Sequence, residues 1–175
     1  MEESTEKKGK RKIEAGVVIG LVAILINLTT VSIYVYEARI MQTQQEVSAW
    51  PYLEWQVVYN QNDGLSVEVS NNGIGPALIK STKILLEGKV YENMDSMFVG
   101  LVGTTKFPHL TGRVENRVLP AGKSIRLLKV TDKIWAEKVN YYMLQKGFGY
   151  EVCFESIYGE AWTCTGLEVE ESKCK

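Results

Sequence analysis

AGVVIGLVAILINLTTVSIYVY, running from Ala15 to Tyr36, contains no Asp, Glu, Lys, Arg or His. A helix rises about 1.5 Å per residue, so this stretch spans about 33 Å, against a bilayer hydrocarbon core of about 30 Å. The stretch reads as one transmembrane helix, and it divides the chain. A polar tail occupies 1–14, the membrane helix 15–36, a helical stalk 37–50, a folded domain 51–169 and a flexible tail 170–175. A cleaved signal peptide is the competing reading. Its apolar core would be about 7 to 15 residues, closely followed by a small-x-small site. Here the apolar run is longer, and the nearest such site, Val47-Ser48-Ala49, lies well downstream. The expectation is an uncleaved anchor.

The flanks set the orientation. Lys7, Lys8, Lys10, Arg11 and Lys12 lie just before the helix, whereas Arg39 is the only base in the 20 residues after it. Basic flanks stay cytoplasmic, and Lys and Arg are what count, not net charge. The N-terminus is therefore expected inside the cell (inner) membrane, with the C-terminal domain periplasmic or extracellular. The bases can also sit on anionic lipid headgroups. The chain's net charge is −1. So mild a balance argues against nucleic acid as a partner, since that requires a basic face.

One stripe of the helix stands out: Gly16, Gly20, Ala23, Asn27, Thr30 and Tyr34, spaced by four, three, four, three and four. Gly16 and Gly20 form a GxxxG pair that lets two helices approach closely, and a mid-membrane amide gains from a partner across a helix interface. The stripe predicts association with itself or with a membrane protein. The alternative is that Asn27 bonds within its own helix. The stalk, EARIMQTQQEVSA (Glu37–Ala49), has no Gly or Pro, and Trp50-Pro51 ends it, because a residue before proline is pushed out of the helical region.

From Leu53 the hydrophobic period becomes two. LEWQVVY (Leu53–Tyr59) and LSVEVS (Leu65–Ser70) alternate around Asn60–Gly64, a hairpin signature. Asn71–Pro76 is turn chemistry, Ala77–Leu86 a strand, Val90-Tyr91 a short one and Ser124–Val130 another. A short helix fits Asp95–Val102. Thr131 or Asp132 caps a helix over Lys133–Gln145, with Gly147 as the stop. Gly149–Ile157 and Ala161–Leu167 form a last hairpin, and LEVEESKCK is expected to fray. About seven short strands predict a mainly-β sandwich with one accessory helix.

VEVSNNGIGPALIKS (Val67–Ser81) and LPAGKSIRLL (Leu119–Leu128) resemble the N-x-G-x-G-P-A strand-turn and the L-x-x-G-x-S strand entry of bacterial immunoglobulin-like, adhesion-type domains. The order of parts also resembles uncharacterised bacterial single-pass membrane proteins with such a domain at the C-terminus. The resemblance implies an immunoglobulin-like fold and membrane anchoring, not an activity.

A two-residue turn at Tyr158-Gly159 would pair 157 with 160, 155 with 162 and Cys153 with Cys164. A disulfide between these two fits an oxidising compartment outside the membrane. A one-residue slip in register would separate them, leaving buried thiols. Cys174 has no evident partner, and the cysteine spacing matches no zinc site. His109, the single histidine, lies in a loop and reads as a surface residue rather than a catalytic base. Asn71, Asn72 and Asp63 suggest calcium only weakly, because hard cations favour several carboxylates. Without a nucleophile–base set or a phosphate loop, no catalytic residue, metal or cofactor is expected. The segment Met94–Leu110 concentrates apolar residues in a long connection, so Met94, Met97, Phe98, Leu101 and Phe107 are either core or a partner surface. The expected function is a non-enzymatic, membrane-anchored interaction module or accessory subunit. The rival is an envelope domain binding a small molecule or glycan through aromatics such as Trp50, Tyr52 and Trp162.

Overall fold

The computed structural model describes residues 15–174. The tail expected at 1–14 lies outside the described residues. The chain divides into two compact units, one up to Gln44 and one from Gln45 onward.

The apolar stretch is helical throughout, within α1 (Ala15–Ser48), and none of the helix's residues is buried. Among the described residues it is the one helix long and apolar enough to cross a membrane. Its polar side chains hydrogen-bond back to its own carbonyls. Asn27 Nδ2 donates to Ala23 at 2.8 Å, Thr30 to Ile26 at 2.9 Å and Ser32 to Leu28 at 2.9 Å. This is the local bonding weighed above as the alternative for Asn27. Past the last turn, the Ala49 and Trp50 amides reach back three residues, and Pro51, with no N–H, cannot continue the ladder.

The second unit is mainly β, with two antiparallel sheets and two helices. One sheet runs β1 (Leu53–Asn60), β2 (Gly64–Asn71), β7 (Ser124–Val130), β5 (Leu110–Thr111). The other runs β10 (Glu168–Glu171), β9 (Ala161–Thr165), β8 (Gly149–Glu155), β3 (Ala77–Leu86), β4 (Lys89–Tyr91), and β6 (Arg117–Leu119) also pairs with β3. The architecture is sandwich-like. Two helices, α2 (Met94–Val102) and α3 (Lys133–Gln145), pack on it; α3 is the accessory helix expected, and α2 is the short helix that fits Asp95–Val102, begun one residue earlier.

Bulges explain two irregular patterns. In β3 the register shifts between Ile79 and Ser81, leaving Lys80 unpaired. A bulge adds one residue and reverses which parity faces inward. Ala77 and Ile79 are therefore buried before it, Ile84 and Leu86 after it. In β7 the pairing skips Leu127, so both Leu127 and Leu128 are buried.

The helices start at side-chain caps. Asn93 and Ser96 form a reciprocal capping box for α2, and Gly103 ends that helix in a left-handed conformation at φ 78°. Asp132, one of the two caps expected, accepts the Trp135 N–H at 2.9 Å. The polar C-terminal stretch does not fray as expected. Glu168–Glu171 pairs with β9, and the Ser172 N–H bonds the Ala161 carbonyl at 3.0 Å.

Candidate functional site

Asn71 organises the entry to the folded unit. It is fully buried, and its side chain makes four hydrogen bonds. Oδ1 accepts from the Tyr52 and Gly73 amides at 3.2 and 3.0 Å, and Nδ2 donates to the Gly75 and Leu119 carbonyls at 2.8 and 2.9 Å. Its backbone bonds Gly122 and Lys123. One residue thus ties the NNGIGPA turn, the LPAGKS turn and the start of β1 together. The Trp50 carbonyl accepts from Ile74 and Gly75 at 3.0 and 3.1 Å. A Cβ at Gly75 would fall on the Ala49 carbonyl, and one at Gly73 on the Tyr52 amide, so only glycine fits at either position. The Asn71 carbonyl, taken by two amides, has no lone pair left for a cation. Among the described residues no group of three or more His, Cys, Asp or Glu is placed to hold a metal ion.

The expected partner surface is core. Met94, Met97, Phe98, Leu101 and Phe107 are each at most 7% exposed. The first four recur at helical spacing on α2, so a single face carries them inward. Phe107 stacks on Trp135 at 4.7 Å and packs edge-on to Phe98 at 5.0 Å. The packing alternative is the one realised, and this corrects the surface reading.

His109 lies on the same cluster, its ring 4.8 Å from Phe107 and 5.0 Å from Phe98. Its Nδ1 lies 2.9 Å from the Phe107 carbonyl and its Nε2 2.9 Å from the Asp95 carboxylate, two acceptors of which a neutral ring donates to one. The ring is 13% exposed, not the surface residue expected, and it bridges the loop after α2 and the first turn of that helix.

The disulfide joins Cys153 to Cys174, not to Cys164, with the Cα atoms 5.6 Å apart. The cause is turn length. The Ser156 N–H bonds the Glu160 carbonyl and Glu155 pairs with Ala161, so the loop holds three residues, Ile157–Gly159. That one extra residue sets Cys153 opposite Thr163 and Cys164 opposite Val152. Adjacent positions on a strand face opposite sides, so Cys164 turns into the core. It is fully buried, and burial pushes its thiol up to about 11. β10, pairing Glu170 with Thr163, carries Cys174 over the other face to Cys153.

The aromatics named for ligand binding do not present a common surface. Trp50 and Tyr52 meet edge to face at 5.8 Å, whereas Trp162 is buried against Phe154. A polar cleft of about 380 Å³ is lined by Glu92, Asp95, Arg113, Glu115 and Tyr150. Within it the Thr82 hydroxyl donates to Glu115 at 2.7 Å, and burial pushes the Tyr150 phenol up to about 12.

α3 is apolar on two sides. Ala136, Val139 and Met143 face the core, while Ile134, Tyr141 and Leu144 are 78%, 57% and 75% exposed. The chain matches no protein-family model and no curated protein.

Proposed function

We propose that this chain is a membrane-anchored, non-enzymatic interaction module, its N-terminus in the cytoplasm and its β domain outside. The observation that carries the reading is α1, 34 residues with none buried, whose apolar part contains no Asp, Glu, Lys, Arg or His. So long an apolar surface calls for a bilayer or a partner. The five bases before the helix and the lone Arg39 after it support the orientation. The Cys153–Cys174 bond supports an oxidising compartment for the domain, because cytosolic thiols are kept reduced. The immunoglobulin-like assignment belongs to this proposal, supported by the two antiparallel sheets and by the Asn71-centred joining of the two resembling motifs.

The test is alkaline carbonate extraction of membranes, N-terminal sequencing of the retained protein, and protease treatment of intact spheroplasts. The expected result is a pelleted chain whose N-terminal tail is retained and whose domain is digested from outside. A soluble chain beginning after the apolar stretch would establish a cleaved leader instead.

A further inference from the structure

We propose that the Cys153–Cys174 bond is a thiol–disulfide exchange site. An external thiolate attacks the Cys174 sulfur, Cys153 departs as the thiolate, and opening the bond releases β10 from β9. Every residue involved belongs to the second unit, and none depends on what covers α1.

The two sulfurs sit in different surroundings. Cys153, on β8, is 9% exposed, and the hydroxyl oxygens of Thr163 and Ser172 lie 3.5 and 3.6 Å from its Sγ. These hydroxyls are 2.7 Å from each other. A bonded cysteine sulfur has no proton to give, so one hydroxyl donates to the other and the second donates to Sγ. A disulfide sulfur is a weak acceptor and a thiolate a much stronger one, so this pair stabilises most once the bond has broken with the electrons on Cys153. A cleft of about 150 Å³ opens beside the same sulfur, lined by Cys153, Thr163, Lys83 and Lys173 among others. Lys83 is paired with Glu151 at 3.0 Å, whereas Lys173 has no ion pair among the described residues. A nearby ammonium favours the thiolate form of a cysteine. Cys174, by contrast, is half-buried, and its sulfur lies 3.7 Å from the Phe154 carbonyl oxygen, an acceptor that disfavours negative charge there. Attack at Cys174 with departure of Cys153 is therefore the favoured direction.

A dithiol supplies the two electrons. Its first thiolate forms a bond to the Cys174 sulfur as the Cys153–Cys174 bond breaks, and the electron pair leaves on Cys153. Its second thiolate then attacks its own sulfur in that mixed disulfide and expels the Cys174 thiolate. The dithiol is oxidised to a disulfide, the chain's bond is reduced to two cysteines, and the dithiol's two protons end on them.

The consequence follows from how little else holds β10. It is a four-residue strand at the end of its sheet, paired only with β9. Val169 is its one side chain packed on the core, and Glu168, Glu170 and Glu171 are exposed. Short edge strands of this kind belong to the low-stability end of a fold. The fully buried rows of the two sheets lie on other strands, so they keep their packing when β10 leaves. β9 then becomes the end of the sheet, and Cys164, which Val169 pairs with, loses that neighbour.

The test uses the full chain in lipid nanodiscs, titrated with reduced and oxidised glutathione and then with dithiothreitol. Acid quenching and peptide mass spectrometry locate the mixed disulfide, expected on Cys174. On reduction, hydrogen exchange is expected to rise about tenfold or more across Glu168–Glu171 while Val67 and Leu128 stay protected. Thr163→Val with Ser172→Ala removes the donors from the leaving sulfur and is expected to slow reduction about threefold. A merely structural pair would act in the opposite sense, because loosening β10 speeds reduction. A bond that resists dithiothreitol until the whole domain unfolds overturns the proposal. So does an adduct confined to Cys153, unchanged exchange in β10 after reduction, or a double variant reduced as fast as wild type or faster.

Discussion

Replacing Cys174 by Ser should destabilise the β domain by about 3 kcal/mol. The bond closes a loop of sequence separation 21. In the chain-entropy model that loop contributes about 11 cal/mol/K, or about 3.3 kcal/mol at 25 °C. The unit from Gln45 onward has 131 residues. At about 2.1 cal/mol/K of unfolding entropy per residue, the loss corresponds to a Tm decrease of about 12 °C. The substitution also releases β10, a four-residue edge strand that the bond holds against β9. The contrast is Cys164→Ala, which removes a buried sulfur without touching the bond and should cost about 1 kcal/mol. Thermal unfolding followed by near-ultraviolet circular dichroism, with peptide mapping under non-reducing conditions, measures both. The reasoning fails if Cys174→Ser melts within about 3 °C of wild type, or if the map links Cys153 to Cys164.

Three further outcomes follow from the same structure. Gly75→Ala should cost on the order of 3 kcal/mol, since its Cβ falls on a backbone oxygen that cannot move aside; urea denaturation measures it. Asn71→Ala strands two amides and two carbonyls in the interior and should cost about 3 kcal/mol or more, with loss of slow hydrogen exchange at Tyr52 and Gly73. Stability should fall on the alkaline side. Cys164 and Tyr150 both have folded values raised above the ordinary 9 and 10, so their contribution is complete below pH 9. It is lost as pH rises through about 11 and 12. Denaturation midpoints between pH 8 and 12 test this, and a midpoint that stays constant to pH 12 contradicts it.

Much of the secondary structure was legible because its causes are local. Ala77–Leu86, Ser124–Val130 and Lys133–Gln145 occupy the spans their patterns predict, bounded by Pro76, Gly122 and Asp132. The apolar segment after β4 was legible as apolar, but not as buried. Met97 and Phe98 read the same whether the helix face they belong to meets a core or solvent, and only the packing of Phe107 on Trp135 decides between them. The short strand β10 was missed because its Glu-rich sequence carries a single inward apolar residue, Val169; it is held by pairing and by the disulfide.

Composition alone determined that one stretch of this chain suits a bilayer, because hydrocarbon length and the absence of Asp, Glu, Lys, Arg and His are properties of sequence. Period and turn residues determined that a β-rich unit follows it. The tertiary structure decided which cysteine meets which. That choice hangs on one residue of loop length between Glu155 and Ala161, and a one-residue difference in register sends Cys164 to the opposite face of its sheet. It also decided which strands lie at the sheet edges, since edge position depends on the order in which distant strands pair, and no local pattern in β1 records it.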